Sequence, residues 1–162
     1  MYQIRLPSPA LRPFIECYWF VHATVSPQNR LEELIFTDAR ADIVFTYGDP
    51  YHRIRADRSA SSDCMRSSNV DGQRRYPVRI LQNGKLNLVG VRFRPGGLAP
   101  FVRMPVHELA GHTVSLGDVF GASGTDLEQQ LFDTTGKPNV QAACWTVFFA
   151  RASPCPPDTT RY

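Results

Sequence analysis

Few residues in this sequence are spaced for chemistry. His107-Glu108-Leu109-Ala110-Gly111-His112 comes nearest to a metal site. Zinc-binding helices carry two histidines four residues apart, on one face, with a glutamate between them as general base. Here the histidines are five apart and Gly111 intervenes, which separates them by about 140° on a helix. His22 and His52 stand alone, with no His-x-His pair of the kind a metal-dependent barrel enzyme uses. Arg94-Pro95-Gly96-Gly97 lacks the Lys-Ser/Thr ending of a phosphate loop, and no serine sits in a Gly-x-Ser-x-Gly elbow. Glu32-Glu33 reads as a solvated pair, and Asp38 and Asp42 bracket a turn. Cys17, Cys64, Cys144 and Cys155 lack the two-residue spacing of zinc ribbons and thioredoxin-like motifs. Cys17 and Cys144 read as buried thiols in an apolar strand and an apolar helix. The expectation is therefore no catalytic residue, no metal ligand set and no cofactor.

One side chain does ask for a partner. Leu86 to Gly97 reads Leu-Asn-Leu-Val-Gly-Val-Arg-Phe-Arg-Pro-Gly-Gly. Val89, Val91 and Phe93 alternate with Leu88, Gly90, Arg92 and Arg94, and that period of two predicts a strand. Pro95 cannot donate to a ladder, and Gly96-Gly97 lets the chain turn. Arg92 shares a face with Leu88 and Gly90; if that face is interior, its charge needs an anion. The anion is either internal, Asp42 or Glu16, or a ligand carboxylate or phosphate. Tyr18, Phe45 and Arg92 are the candidate ligand-binding residues.

The elements that must position these residues follow in order. Pro7, Pro9 and Pro13 keep the opening extended. Phe14 to Val25 is apolar on both alternating faces and predicts a strand covered on both sides. Asp42 to Tyr47 and Tyr51 to Ile54 predict further strands, and Leu31 to Thr37 either a strand or, at Leu-Glu-Glu-Leu, a helical turn. From Ala56 to Gln73 apolar content collapses, which predicts a mobile loop with an arginine-rich rim or lid drawn from Arg53, Arg55, Arg58, Arg66, Arg74, Arg75 and Arg79. Tyr76 to Leu81 is expected to pair with the central strand through a tight Asn83-Gly84 hairpin. Helical sequence follows: Val106 to Ala110 after Pro105, Leu116 to Phe120 capped by Ser115, Thr125 to Thr134, and Pro138 to Arg151. In the last, Val140, Ala143, Cys144, Val147 and Phe148 form one apolar stripe, and Trp145 and Phe149 a second flank. Two flanks suit either deep burial or a partner subunit, with Val140, Cys144, Trp145 and Phe148 the candidate dimerisation residues.

The chain is 162 residues long with a net charge of +3. That length fits one domain with a substantial core, and so mild a charge does not by itself imply nucleic-acid binding. No run of about eighteen apolar residues and no apolar signal-peptide centre is present, so the expected compartment is the cytoplasm, away from membranes. The fold class read from these patterns is α+β, an antiparallel β-barrel over residues 1–97 followed by helices over 98–152 and a linker-like tail over 153–162.

Several segments occur together in order: Pro9-Ala-Leu-Arg-Pro-Phe-Ile-Glu-Cys-Tyr-Trp19, Ala41-Asp-Ile-Val-Phe-Thr-Tyr-Gly48, Leu88-Val-Gly-Val-Arg-Phe-Arg-Pro-Gly-Gly97, Pro105-Val-His-Glu-Leu109 and Val114-Ser-Leu-Gly-Asp118. This series resembles the N-terminal sensor domain of a subgroup of AraC/XylS-type bacterial transcription regulators, over roughly Leu6 to Asp158. The resemblance implies a cupin-like barrel, helices that support a homodimer, and a small-molecule effector. It also implies that DNA is bound through a separate domain with two helix-turn-helix motifs, for which the residues after Asp158 leave no room. The alternative is a stand-alone cupin-like small-molecule-binding protein or enzyme.

Overall fold

The computed structural model describes residues 1–57 and 62–152. Ten strands and three helices follow in chain order: β1 (Tyr2–Arg5), β2 (Ile15–Val25), β3 (Leu31–Ile35), β4 (Asp42–Thr46), β5 (Tyr51–Arg55), β6 (Ser62–Met65), β7 (Asn69–Asp71), β8 (Val78–Gln82), β9 (Gly84–Phe93), β10 (Thr113–Ser115), α1 (Leu116–Phe120), α2 (Ala122–Asp133) and α3 (Pro138–Arg151). The class is α+β, as expected. The strands form two sheets, ordered β1-β2-β9-β4-β7-β10 and β3-β8-β5-β6, and every pairing is antiparallel. No ladder among the described residues joins the two sheets, so the closed barrel is replaced by two layers. Among the described residues no helix is long and apolar enough to cross a membrane.

The central strand is where the sequence pattern puts it. β9 pairs with β2 along almost its whole length and with β4 on the other side. The Asn83-Gly84 hairpin, however, does not form. β8 lies in the other sheet, between β3 and β5, so both of its edges, like both edges of β9, are already occupied. Gly84 takes a φ of +75°, as a primed turn would require, but here the bend carries the chain across from one sheet to the other. The carboxylate of Asp49 accepts from the Lys85 amide at 2.7 Å and holds the corner. The polar stretch expected to be a mobile loop also contributes strands: β7 is buried at all three residues and sits inside the six-stranded sheet. Arg58 lies outside the described residues.

β2 is apolar on both faces because it serves two cores. A bulge at Glu16 shifts its register: Ile15 lies opposite Phe93, and Cys17 opposite Arg92. Directly opposed residues of an antiparallel pair share a face. Tyr18, Phe20 and, past the bulge, Ile15 therefore join Val89, Val91 and Phe93 on the helix side. Cys17, Trp19 and Val21 join Arg92, Gly90 and Leu88 on the side of the second sheet.

The helix-side core is aromatic. Trp145 of α3 is fully buried, with ring centroids 4.7 Å from Phe45 and 5.5 Å from Phe149. Gln141, Trp145 and Phe149 are the buried positions of α3, whereas Val140 and Val147 are exposed. The helix is thus rotated by more than a third of a turn from the phase that would bury the Val140–Phe148 stripe. Burying Trp and Phe removes more apolar surface than burying Val and Ala. Gln141 tolerates its position because its amide donates to the Tyr47 hydroxyl at 2.9 Å and the Leu131 carbonyl at 3.2 Å. Ser115 caps α1 as expected, its hydroxyl accepting from the Asp118 amide at 3.1 Å.

Trp145→Ala should cost about 3–5 kcal/mol, the usual loss for emptying a buried aromatic site, measured by urea denaturation. Burial also raises Tyr18, Tyr47 and Tyr51 above the ordinary phenol value of 10.0. A group whose folded pKa is raised adds stability that is complete below the unfolded value and lost as pH climbs through the folded one. Stability should therefore fall above pH 10, with the three phenols ionising together with unfolding in a near-ultraviolet titration; ionisation of all six tyrosines of the chain before unfolding would contradict this.

Candidate functional site: a cavity between the sheets

The alternation that sends Tyr18 and Val91 to the helices sends a row of polar side chains to the other face. The registers place Cys17, Arg92, Asp42, Asp71 and Thr113 opposite one another across β2, β9, β4, β7 and β10. Asp42 and Asp71 are directly opposed carboxylates on neighbouring strands, and both are buried. Like charges in that relation repel. Arg74, itself buried, resolves the conflict: its Nη2 lies 3.0 Å from Asp42 and 3.0 Å from Asp71. Arg92 Nε donates to the other oxygen of Asp42 at 3.0 Å. From the facing sheet, Arg53 donates to Asp71 at 2.6 Å and to the Thr113 hydroxyl at 2.7 Å. The chain of charges continues outward from Arg74 to Asp38 at 3.3 Å, and from Arg40 to Glu16 at 2.7 Å.

Of the alternatives for Arg92, the internal partner is Asp42; Glu16 is taken by Arg40. Burial works against the charge of Arg92, but the Asp42 carboxylate outweighs it and the guanidinium pKa is raised. In Arg74 burial is likewise outweighed, by Asp71 and Asp42. Burial raises the Cys17 thiol. The arginines expected to form a solvated rim are thus largely committed. Arg53 and Arg74 are in the ion row, Arg55 lies over the Tyr76 ring at 3.5 Å and pairs with Asp57, and Arg79 pairs with Glu32.

Beside this row the two sheets part around a cavity of about 280 Å³. Its polar end is built by Arg92, Asp42, Asp71, Arg74 and Arg53, and its apolar walls by both sheets, among them Val21, Leu88, Val78 and Ile80. Tyr2 of β1 and Leu31, Glu33 and Ile35 of β3 line it from one edge strand of each sheet. Trp19 lies flat over Gly90, where a Cβ would come within 2.0 Å of the indole. Its Nε1 is buried and has no acceptor among the described residues.

The three predicted ligand residues are not brought together. Arg92 lines the cavity, but Tyr18 and Phe45 are buried on the opposite face of the same sheet, against Trp145. The period-two pattern already separates Tyr18 from Cys17 and Trp19. Among the other lining residues, the sequence pattern offers Arg53 and Arg74 as part of an arginine-rich rim or lid and gives no site role to Trp19 or to Asp71, which composition assigns to a loop. Of the predicted dimerisation residues, Trp145 is wholly inside its own domain, Cys144 and Phe148 are half-buried, and Val140 is exposed. Among the described residues no three His, Cys, Asp or Glu side chains come together as metal ligands.

The cavity thus lies between the two sheets of an α+β domain, with the ion row at one end and apolar side chains along its walls. The family follows from the sequence match: residues 3–115 fit the model of a domain of unknown function, DUF6597, and the chain belongs to that family. The matched region spans both sheets and ends with β10, at the residue that caps α1. No curated protein and no solved structure matches the chain.

Asp42→Asn should cost about 3–5 kcal/mol, because it leaves Arg74 and Arg92 short of a buried counter-charge. Glu16→Gln, at the solvent end of the row, should cost far less. Chemical denaturation of both variants checks the ranking, and equal losses would show that the row is not anchored at Asp42.

Proposed function

We propose that the chain is the ligand-sensing and dimerisation domain of a cytoplasmic AraC/XylS-type transcription regulator, with the two sheets forming a cupin-like body. In this reading a small-molecule effector occupies the cavity, a second copy pairs through the helical side, and DNA is bound by a helix-turn-helix domain outside this chain. The observation that carries the reading is the amphipathic cavity: charged at one end, apolar along its walls, and backed by the sheet on which α3 rests. Occupancy on one face of β2, β4 and β9 has a direct route to the other. Trp19 and Arg92 contact the cavity, and their chain neighbours Tyr18 and Val91 belong to the core against α3. A ligand that prefers one packing of that sheet shifts the population of helix positions, and so the placement of attached domains on two half-sites. The exposed Val140 and Val147 of α3, with Ala143 between them, give a second copy an apolar face.

Light scattering on purified protein at high micromolar concentration should give a dimer, and Val147→Glu should give a folded monomer; a wild-type monomer would count against the dimer. The reading frame beyond Tyr162 tests the regulator assignment. Paired helix-turn-helix coding sequence is expected, and its absence would leave a stand-alone binding protein or enzyme as the better description.

A further inference from the structure

We infer that the cavity takes a small apolar monocarboxylate, its carboxylate held by the terminal nitrogens of Arg92 beside the Trp19 side chain. This deepens the sensing proposal and rests on it for its biological meaning, but the argument for the ligand is chemical. Arg92 spends only Nε on Asp42; its two terminal nitrogens make no hydrogen bond among the described residues, although the side chain is only about one-third exposed. Trp19 Nε1, one residue pair along the same face, is a buried donor with no acceptor. Arg74 Nε is buried and unpartnered as well. Trp19 and Arg74 line the cavity, but their unpartnered Nε1 and Nε are enclosed by protein, which leaves the Arg92 edge as the donor a ligand can reach. A ligand with two acceptor oxygens on one planar group answers a guanidinium edge directly.

Charge sets the valence. The row contains Arg40, Arg53, Arg74 and Arg92 against Glu16, Asp38, Asp42 and Asp71, which cancel. Glu33 of β3 adds a negative charge to the lining and makes no ion pair among the described residues. Arg53 and Arg74 are committed to Asp42 and Asp71, so Arg92 offers the one guanidinium edge left, which matches a single carboxylate and leaves no second cation for a phosphate dianion. The remainder of the ligand must be apolar, because it meets Val21, Leu86 and Leu88 on one side and Leu31, Val78 and Ile80 on the other. A volume of about 280 Å³ admits only a small molecule.

Calorimetric titration of the full chain with octanoate, octan-1-ol and octylammonium tests this, read beside the two indole N–H resonances in a ¹⁵N spectrum, assigned with Trp19→Phe. Octanoate should bind saturably and move the Trp19 indole while leaving that of Trp145 in place. Octan-1-ol and octylammonium should bind at least about tenfold more weakly, and Arg92→Gln should lose at least about tenfold for octanoate. Glu33→Gln, on the exposed rim, should keep the fold and bind octanoate several-fold more tightly, so the inference stays testable if Arg92→Gln misfolds. Octanol binding as well as octanoate, an unmoved Trp19 resonance, or no saturable octanoate binding overturns the assignment. A dimer with a helix-turn-helix domain encoded downstream would, in those cases, leave the sensor reading standing without this ligand class.

Discussion

The repulsion between Asp42 and Asp71 is the constraint from which most of this architecture follows. Two carboxylates face each other on adjacent strands, both buried. Neither can be charged there without cations, and the cations come from three separate parts of the chain: Arg92 from β9, Arg53 from the other sheet, and Arg74 from the segment between β7 and β8. A slip of one residue in β4 or β7 would turn these carboxylates into the aromatic core beneath the helices. β7 is only three residues long, too short for apolar pattern alone to hold its place. The ion row supplies the register that the short strand lacks, and Arg53 ties the second sheet to the first at the same point.

The segments that carry the sequence resemblance lie next to one another in space, and the reason is mechanical. Arg92 pairs with Asp42, and Gly90 makes room for Trp19. At the end of β9 the Arg94 amide donates to the Phe14 carbonyl at 2.8 Å, and Gly97 lies so close to that oxygen that a Cβ would be 2.0 Å away. Gly48 packs against the Lys85 carbonyl in the same way. The bulge at Glu16 adds its residue between these contacts, moves Ile15 to the helix side and leaves Glu16 free to pair with Arg40. The Gly-x-Arg-Phe-x-Pro-Gly-Gly element is therefore mainly a device for seating β2 on β9, in which Arg92 alone also reaches the cavity.

Strands with strong period-two patterns were legible: β2, β4, β5 and β9 lie within a residue or two of their expected bounds, as does α3. What the pattern could not supply was pairing. Asn83-Gly84 has the chemistry of a hairpin turn, but turn chemistry fixes a backbone bend and not which edges are free afterwards. β7 was hidden because composition measures apolar content, and Asn69 and Asp71 are buried through hydrogen bonds and ion pairs instead. The phase of α3 was hidden because Gln141 occupies a core position, and only the distant Tyr47 hydroxyl and the Leu131 carbonyl make that acceptable. For the candidate site, Arg92 could be named from face and charge, with Asp42 or Glu16 as alternative internal partners. Arg53, Arg74 and Trp19 depend on long-range register that no local window contains.

The same alternation that splits Tyr18 from Arg92 sets the cavity and the helix-side core back to back on one sheet. A sheet carrying a ligand on one face and a helix on the other cannot change one packing without loading the next residue along each strand. Here the load path is short: Trp19 rests on Gly90, and Val89 and Val91, on either side of that glycine, are wholly buried on the helix side. Gly90 has no side chain of its own to absorb a shift, so movement of the indole falls on the strand itself. Close-packed interiors respond to such displacements by repacking in steps rather than by yielding smoothly. One layer of sheet separates Trp19 from Trp145, whose ring packs against Tyr18 and Phe45, and no residue of α3 lines the cavity.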